Sequence, residues 1–190
     1  MILGVTGTIG SGKSTVCRIL KEKGFPVVSA DEIGHRILEF PQIKEKICES
    51  FGDVTDCDGK TDRKKLAGAV FDNPEKVKLL NSITHPIIRE IIKKETQKLE
   101  KQNKIVVCEI PLLFECGFED LVDKILLVYV SDEKAIERLL GRGMTEDEAI
   151  KRLKNQQNYR KKLEKSDFFI SNEENFEKLV FKVAEVIKKC

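Results

Sequence analysis

Eight residues near the amino terminus, Gly7, Thr8, Ile9, Gly10, Ser11, Gly12, Lys13 and Ser14, satisfy the pattern G-x-x-x-x-G-K-[ST]. A loop of this type binds nucleotide phosphates. Its glycines let backbone N–H groups turn inward around the anion, Lys13 reaches the β- and γ-phosphates, and the Ser14 hydroxyl holds Mg²⁺. Gly10, Ser11, Gly12 and Thr15 complete the predicted ATP cradle. The helix expected to open at Lys13 aims its positive end at the same phosphates.

Phosphoryl transfer also asks for a group that orients or deprotonates the acceptor, and for cations that neutralise the transition state. Asp31 stands where a second apolar run gives way to a helical pattern. A carboxylate there serves either as a base facing the γ-phosphate or as a helix N-cap, and spacing leaves both open. Glu109 closes the apolar run at 105–108, a position from which a carboxylate meets Mg²⁺ through water. Arg138, Arg142 and Arg152 lie in one basic stretch, and the four-residue step between the first two predicts a shared helical face able to swing onto phosphates. A solvated charged face is the alternative for each. His85, directly before Pro86, is either a substrate contact or general acid, or a structural histidine. Asp56 and Gly59 spell D-x-x-G, a GTPase switch pattern, but no apolar strand precedes them. No N-K-x-D occurs either, since Asn103-Lys104-Ile105-Val106 lacks the aspartate.

The elements that must position these residues are readable from periodicity. Short, unalternating apolar runs at 2–5, 26–30, 105–108, 125–130 and 168–170 read as strands of a parallel sheet covered on both faces. Helical spacing follows the first loop (Val16, Ile19, Leu20) and fills 173–189. The expected fold is an α/β three-layer sandwich of about five parallel strands, of the phosphate-loop kinase type. One domain, 1–190, is expected, with its core at about 1–30, 104–131 and 166–190. About 31–103 exceeds any single crossover. It reads as an inserted helical subdomain with helices near 31–39, 41–50, 62–71, 74–83 and 86–101. About 132–165, basic and broken at Gly141-Arg142-Gly143, reads as a helical lid.

Composition narrows the partners. Lys and Arg number 34 against 32 Asp and Glu, a net charge of +2, so no global field favours nucleic acid or an anionic membrane. An anionic ligand must be held locally. The six cysteines show no C-x-x-C pair or disulfide framework, and no signal peptide is recognisable, which predicts a reduced, cytoplasmic protein. No apolar run approaches the ~18 residues of a membrane span.

A wider set of residues carries a family resemblance. It begins with Gly4-Val5-Thr6-Gly7 running into Gly10 to Thr15, then Ala30-Asp31, Phe51-Gly52, and Asp58-Gly59 leading to Asp62-Arg63 and Leu66. It continues through Phe71, Leu80-Asn81, His85-Pro86, Pro111-Leu112-Leu113-Phe114-Glu115, Arg138, Arg142, Gln156, Asp167 and Asn172. In these the chain resembles the dephospho-coenzyme A kinase family. The resemblance implies transfer of the ATP γ-phosphate, with Mg²⁺, to the ribose 3′-hydroxyl of dephospho-coenzyme A, the last step of coenzyme A synthesis. It implies Asp31 as catalytic base, with Lys13 and Arg142 as its catalytic companions. Arg138, Arg142 and Asn172 fall on the ATP side, Asn172 near the adenine, and Arg63, His85 and Glu115 line the acceptor site. The chain departs from many members at Ser29 and Glu109, where aspartates are common, and at Ala135, where a glutamine is.

Overall fold

The computed structural model describes residues 1–154 and 159–190. Five strands form one all-parallel sheet: β1 (Ile2–Gly7), β2 (Val27–Ser29), β3 (Val106–Glu109), β4 (Lys124–Tyr129) and β5 (Phe168–Ser171), in the spatial order β2-β3-β1-β4-β5. β1 is central, and the direction of winding reverses beside it. In an open α/β sheet that reversal opens a ligand crevice at the carboxyl ends of the strands. Consecutive residues of β1 and β4 are buried, so helices or loops cover both faces. On one face α1 (Lys13–Glu22) and α9 (Phe176–Lys188) pack together. Val16, Ile19 and Leu20 of α1 join Leu179, Val183 and Val186 of α9 over Leu3, Val5, Leu126 and Val128. This is the three-layer α/β sandwich that the apolar runs predict.

The chain packs as two compact units, Met1–Ser29 with Lys94–Cys190, and Ala30–Lys93. The first holds the sheet together with α6 (Asp132–Leu140), α7 (Glu146–Lys154) and α8 (Tyr159–Glu164). Part of the expected lid, including Gln156, lies outside the described residues. The second holds α2 (Ala30–Ile37), α3 (Pro41–Phe51), α4 (Arg63–Val70) and most of α5 (Pro74–Glu100). Ile43, Ile47, Val54, Leu66 and Val70 form the core of this second unit. Pro41 starts α3 at a position that needs no backbone donor. Asp62 caps α4 by accepting the Lys64 and Lys65 N–H groups.

Helix α5 differs from expectation. Pro86 should separate two helices, at 74–83 and 86–101, yet one 27-residue helix runs through it. A proline inside a helix costs about 3 kcal/mol. Leu80, Ile83 and Ile87, each partly buried, pack on the second unit's core from both sides of the proline, and at roughly 25 cal/mol per Å² of apolar surface removed from water their burial together is comparable to that cost. The continuous apolar face offsets the lost backbone bond. The D-x-x-G segment resolves as a turn between Thr55 and Thr61, which form an isolated antiparallel bridge. There Asp56 Oδ1 accepts the N–H groups of Asp58 and Lys60 at 3.0 and 2.9 Å. No helix among the described residues is long and apolar enough to cross a membrane.

Candidate active site

The phosphate loop joins the end of β1 to α1, which begins at Lys13. Gly12 precedes it with φ +89, and a Cβ there would lie 2.4 Å from Asn172 Nδ2. Glycine is therefore required twice, for conformation and for space. Asn172, buried at the end of β5, donates to the Ser11 carbonyl at 2.7 Å. Arg138 of α6 donates to the carbonyls of Gly10 (3.0 Å), Ser11 (3.4 Å) and Asn172 (2.9 Å). Lys13 Nζ donates to the carbonyls of Gly7 (3.1 Å) and Thr8 (3.0 Å). Hydrogen bonds to charged groups contribute about 1.5–3 kcal/mol each, and the loop's carbonyls are engaged by two cations and an amide. The bonds from Arg138 and Asn172 set its geometry before any anion binds.

Beside this loop lies a cavity of about 260 Å³ lined by Gly10, Gly12, Thr15, Arg138, Arg142, Asn172, Glu174 and Phe176. Phe176 is half exposed, with the Arg18 guanidinium 6.0 Å from its ring centre. Hydrogen bonds from Lys178 and Lys182 pull Glu174 down to about 2, so its carboxylate stays ionised with its charge balanced locally. Arg138 and Arg142 both line this cavity, Arg138 from within α6 and Arg142 from the turn that ends it. Helix α6 stops at Leu140, and Met144 N–H bonds to the Leu139 carbonyl while Gly143 N–H bonds to that of Leu140, with Gly143 at φ +86. This is a glycine-terminated Schellman turn. Arg142 therefore sits in the capping turn, exposed. Arg152, on α7, is not among the described residues lining the cavity.

Ser14 is exposed in the first turn of α1. Glu109 closes β3, in register with Val5 of β1 and with Ser29 of β2. The Cys17 thiol, one turn past Lys13, hydrogen-bonds Glu109; burial first and the Glu109 charge second push this thiol far above its usual range. It stays protonated and donates. A serine hydroxyl and a carboxylate are hard oxygen donors of the kind Mg²⁺ takes alongside nucleotide phosphates and water. The residues present fit the ion.

In the second unit a cavity of about 390 Å³ gathers Asp31 from α2, Arg63 from α4, and Asn81, Thr84 and His85 from α5 around Leu38, Leu66, Phe71 and Ile88. Three of the predicted residues thus come together from positions far apart in sequence. Asp31 is no N-cap, because β2 passes directly into α2 at Ala30 and Asp31 lies within its first turn. Burial, then the Arg89 guanidinium one turn on, hold His85 below the usual imidazole range. Its ring is neutral near pH 7. Glu115 is placed elsewhere, in the first unit, where its Oε1 lies 2.7 Å from Lys162 Nζ.

The model of one protein family, described as dephospho-CoA kinase, matches residues 1–178. The chain belongs to the dephospho-CoA kinase family. A dephospho-CoA kinase of Fusobacterium nucleatum is 41% identical over 185 residues, covering 96% of this chain and 95% of that protein. The solved dephospho-CoA kinase of Campylobacter jejuni is 35% identical with a TM-score of 0.76, covering 99% of this chain and 96% of that one. A solved Thermus thermophilus protein is 30% identical with a TM-score of 0.88, covering 100% and 96% respectively. Membership makes the chain an ATP-dependent kinase of dephospho-CoA in coenzyme A biosynthesis.

Ala135 is fully buried, and a Cβ on Gly10 would lie 3.0–3.2 Å from its atoms. The small side chain lets α6 lie directly on the phosphate loop. Sequence reasoning missed Lys162, which reads as one of many lysines in a basic run. Only its solvent exposure of 0% sets it apart.

Proposed function

We propose that the first unit binds ATP, that the cavity of the second takes dephospho-CoA with Glu115 of the first as a further acceptor contact, and that the γ-phosphoryl group passes to the ribose 3′-hydroxyl. What carries this reading is the cavity in which Asp31, Arg63 and His85 meet, a pocket with one carboxylate, one guanidinium and two imidazoles, those of His35 and His85, on largely apolar walls. It suits an acceptor with a nucleotide end and a long, weakly polar arm.

Backbone N–H groups of Gly10 to Thr15 hold the ATP phosphates, and Lys13 leaves the Gly7 and Thr8 carbonyls to neutralise the β/γ-bridge. Arg138 fixes the loop. Asn172 borders the adenine side of the nucleotide cavity, and Arg142, on its exposed turn, meets the transferring phosphoryl group. Ser14, and Glu109 through water, hold Mg²⁺, which when bound neutralises charge on the β- and γ-phosphates. Asp31 takes the proton of the 3′-hydroxyl as its oxygen attacks the γ-phosphorus and the bond to the β,γ-bridging oxygen breaks, leaving ADP. Arg63, His85 and Glu115 hold the acceptor. The domain division into a core, an acceptor-binding insertion and a lid over 132–165 belongs to the same proposal. So does a cytoplasmic location, which the six unbridged cysteines favour.

ADP release, followed with ATP and Mg²⁺ in the presence and absence of dephospho-CoA, tests the reading. Release should depend on the acceptor and yield a 3′-phosphorylated product; acceptor-independent release at the same rate would overturn it.

A further inference from the structure

Lys162 heads the fully buried side chains by volume, at 0% exposure. Its ammonium lies 2.7 Å from Glu115 Oε1, and it donates no hydrogen bond to any other described residue. Glu115 keeps 21% of its side chain exposed. The pair is thus one-sided, a cation wholly inside and a carboxylate that reaches the surface. Removing an ammonium from water is unfavourable, and an apolar side chain of similar length would fill the same space without that penalty. What the ammonium alone supplies is a fixed direction for the carboxylate.

The surroundings reinforce that direction. Lys165, one turn after Lys162's own, lies 3.7 Å from Glu119 and 5.9 Å from the Phe114 ring centre. Leu113 and Phe114, which directly precede Glu115, are buried. The end of α8 therefore grips the segment bearing Glu115 at more than one point, and Ser166 Oγ ties back to the Lys162 carbonyl at 2.6 Å.

We propose that Lys162 is a positioning residue for the acceptor: it holds the Glu115 carboxylate from the buried side in the orientation that receives dephospho-CoA. This rests on the reading of Glu115 as an acceptor contact. Misplacing such a group weakens acceptor binding and leaves the nucleotide cradle untouched.

Steady-state kinetics on four proteins, the wild type, Lys162→Met, Glu115→Gln and the double variant, decides it. Lys162→Met should raise KM for dephospho-CoA about tenfold while KM for ATP stays within about twofold. In the Glu115→Gln background the lysine substitution should add nothing, because its route to the acceptor is gone. An unchanged acceptor KM in Lys162→Met, equal rises in both KM values, or the same added factor in the Glu115→Gln background would each overturn the proposal. Should Lys162→Met fail to fold, the double variant, which removes both charges, is compared with Glu115→Gln alone. Equal acceptor KM values support the proposal and a further rise contradicts it. If Glu115→Gln itself leaves the acceptor KM unchanged, the acceptor role of Glu115 falls, and the positioning role falls with it. If Glu115→Gln raises that KM and Lys162→Met does not, only the positioning role is lost.

Discussion

The phosphate loop and the cavity proposed for the acceptor are built on opposite principles. In the cradle, main-chain groups are the recognition surface, and Arg138, Asn172 and Lys13 tie its carbonyls back through hydrogen bonds of 2.7–3.4 Å. In the cavity proposed for the acceptor, the polar groups are side chains standing on three helices, among them Asp31, Arg63 and His85. Phosphate is the same in every nucleotide, so a fixed backbone suffices. An acceptor is chosen by shape and by a few polar groups, so its site needs side chains that can be changed one at a time.

If that contrast is right, the largest effect should come from the side chain that does proton chemistry. Asp31→Asn keeps the size and removes the base, and turnover should fall by roughly 10²–10⁴-fold with an unchanged melting temperature. Turnover near the wild-type value would leave the acceptor cavity without a base. Lys13→Ala should cost at least about a hundredfold in turnover, the scale for loss of one preorganised electrostatic contact. Here the competing outcome is a modest loss in ATP affinity with turnover intact, as expected of a lysine that only braces the loop.

Gly12→Ala sharpens the contrast further. A Cβ at 2.4 Å from Asn172 Nδ2 and a φ of +89 force the Asn172–Ser11 bond apart. Calorimetry should find ATP affinity reduced about tenfold or more, with dephospho-CoA affinity unchanged. An equal loss of both would tie the cavity's integrity to the loop.

The smallest effect concerns His85. Its folded-state proton affinity lies below that of the unfolded chain, because of burial first and Arg89 second. Stability from this source is therefore complete above the ordinary imidazole value near 6.5, and it is lost as pH falls from there through the lowered value. Urea midpoints taken between pH 7.5 and 5.5 should decline less in His85→Gln than in the wild type. Identical slopes would assign the decline to other groups.

Much of this was legible in the sequence because it is local. The phosphate loop, the five strands and the start of α1 depend on residues within a few positions of each other. The four-residue step from Arg138 to Arg142 was legible, but the capping turn that carries Arg142 depends on the positive φ of Gly143, one residue further on. Pro86 was overruled by packing that spans α5 and α3, which no local signal reports. Asp31, Arg63 and His85 were individually identifiable, but their meeting depends on how three helices pack. Lys162 was invisible, since burial of a lysine follows from tertiary structure alone.

The central claim is that the cradle of the first unit takes ATP and the cavity of the second takes dephospho-CoA, and paired binding measurements test it most directly. Calorimetry with ATP and with dephospho-CoA should be run on Arg63→Ala and on Arg138→Ala. Arg63→Ala should weaken dephospho-CoA about tenfold or more and leave ATP within about twofold, and Arg138→Ala should do the reverse. If either substitution weakens both substrates equally, the division of labour between the two units is wrong.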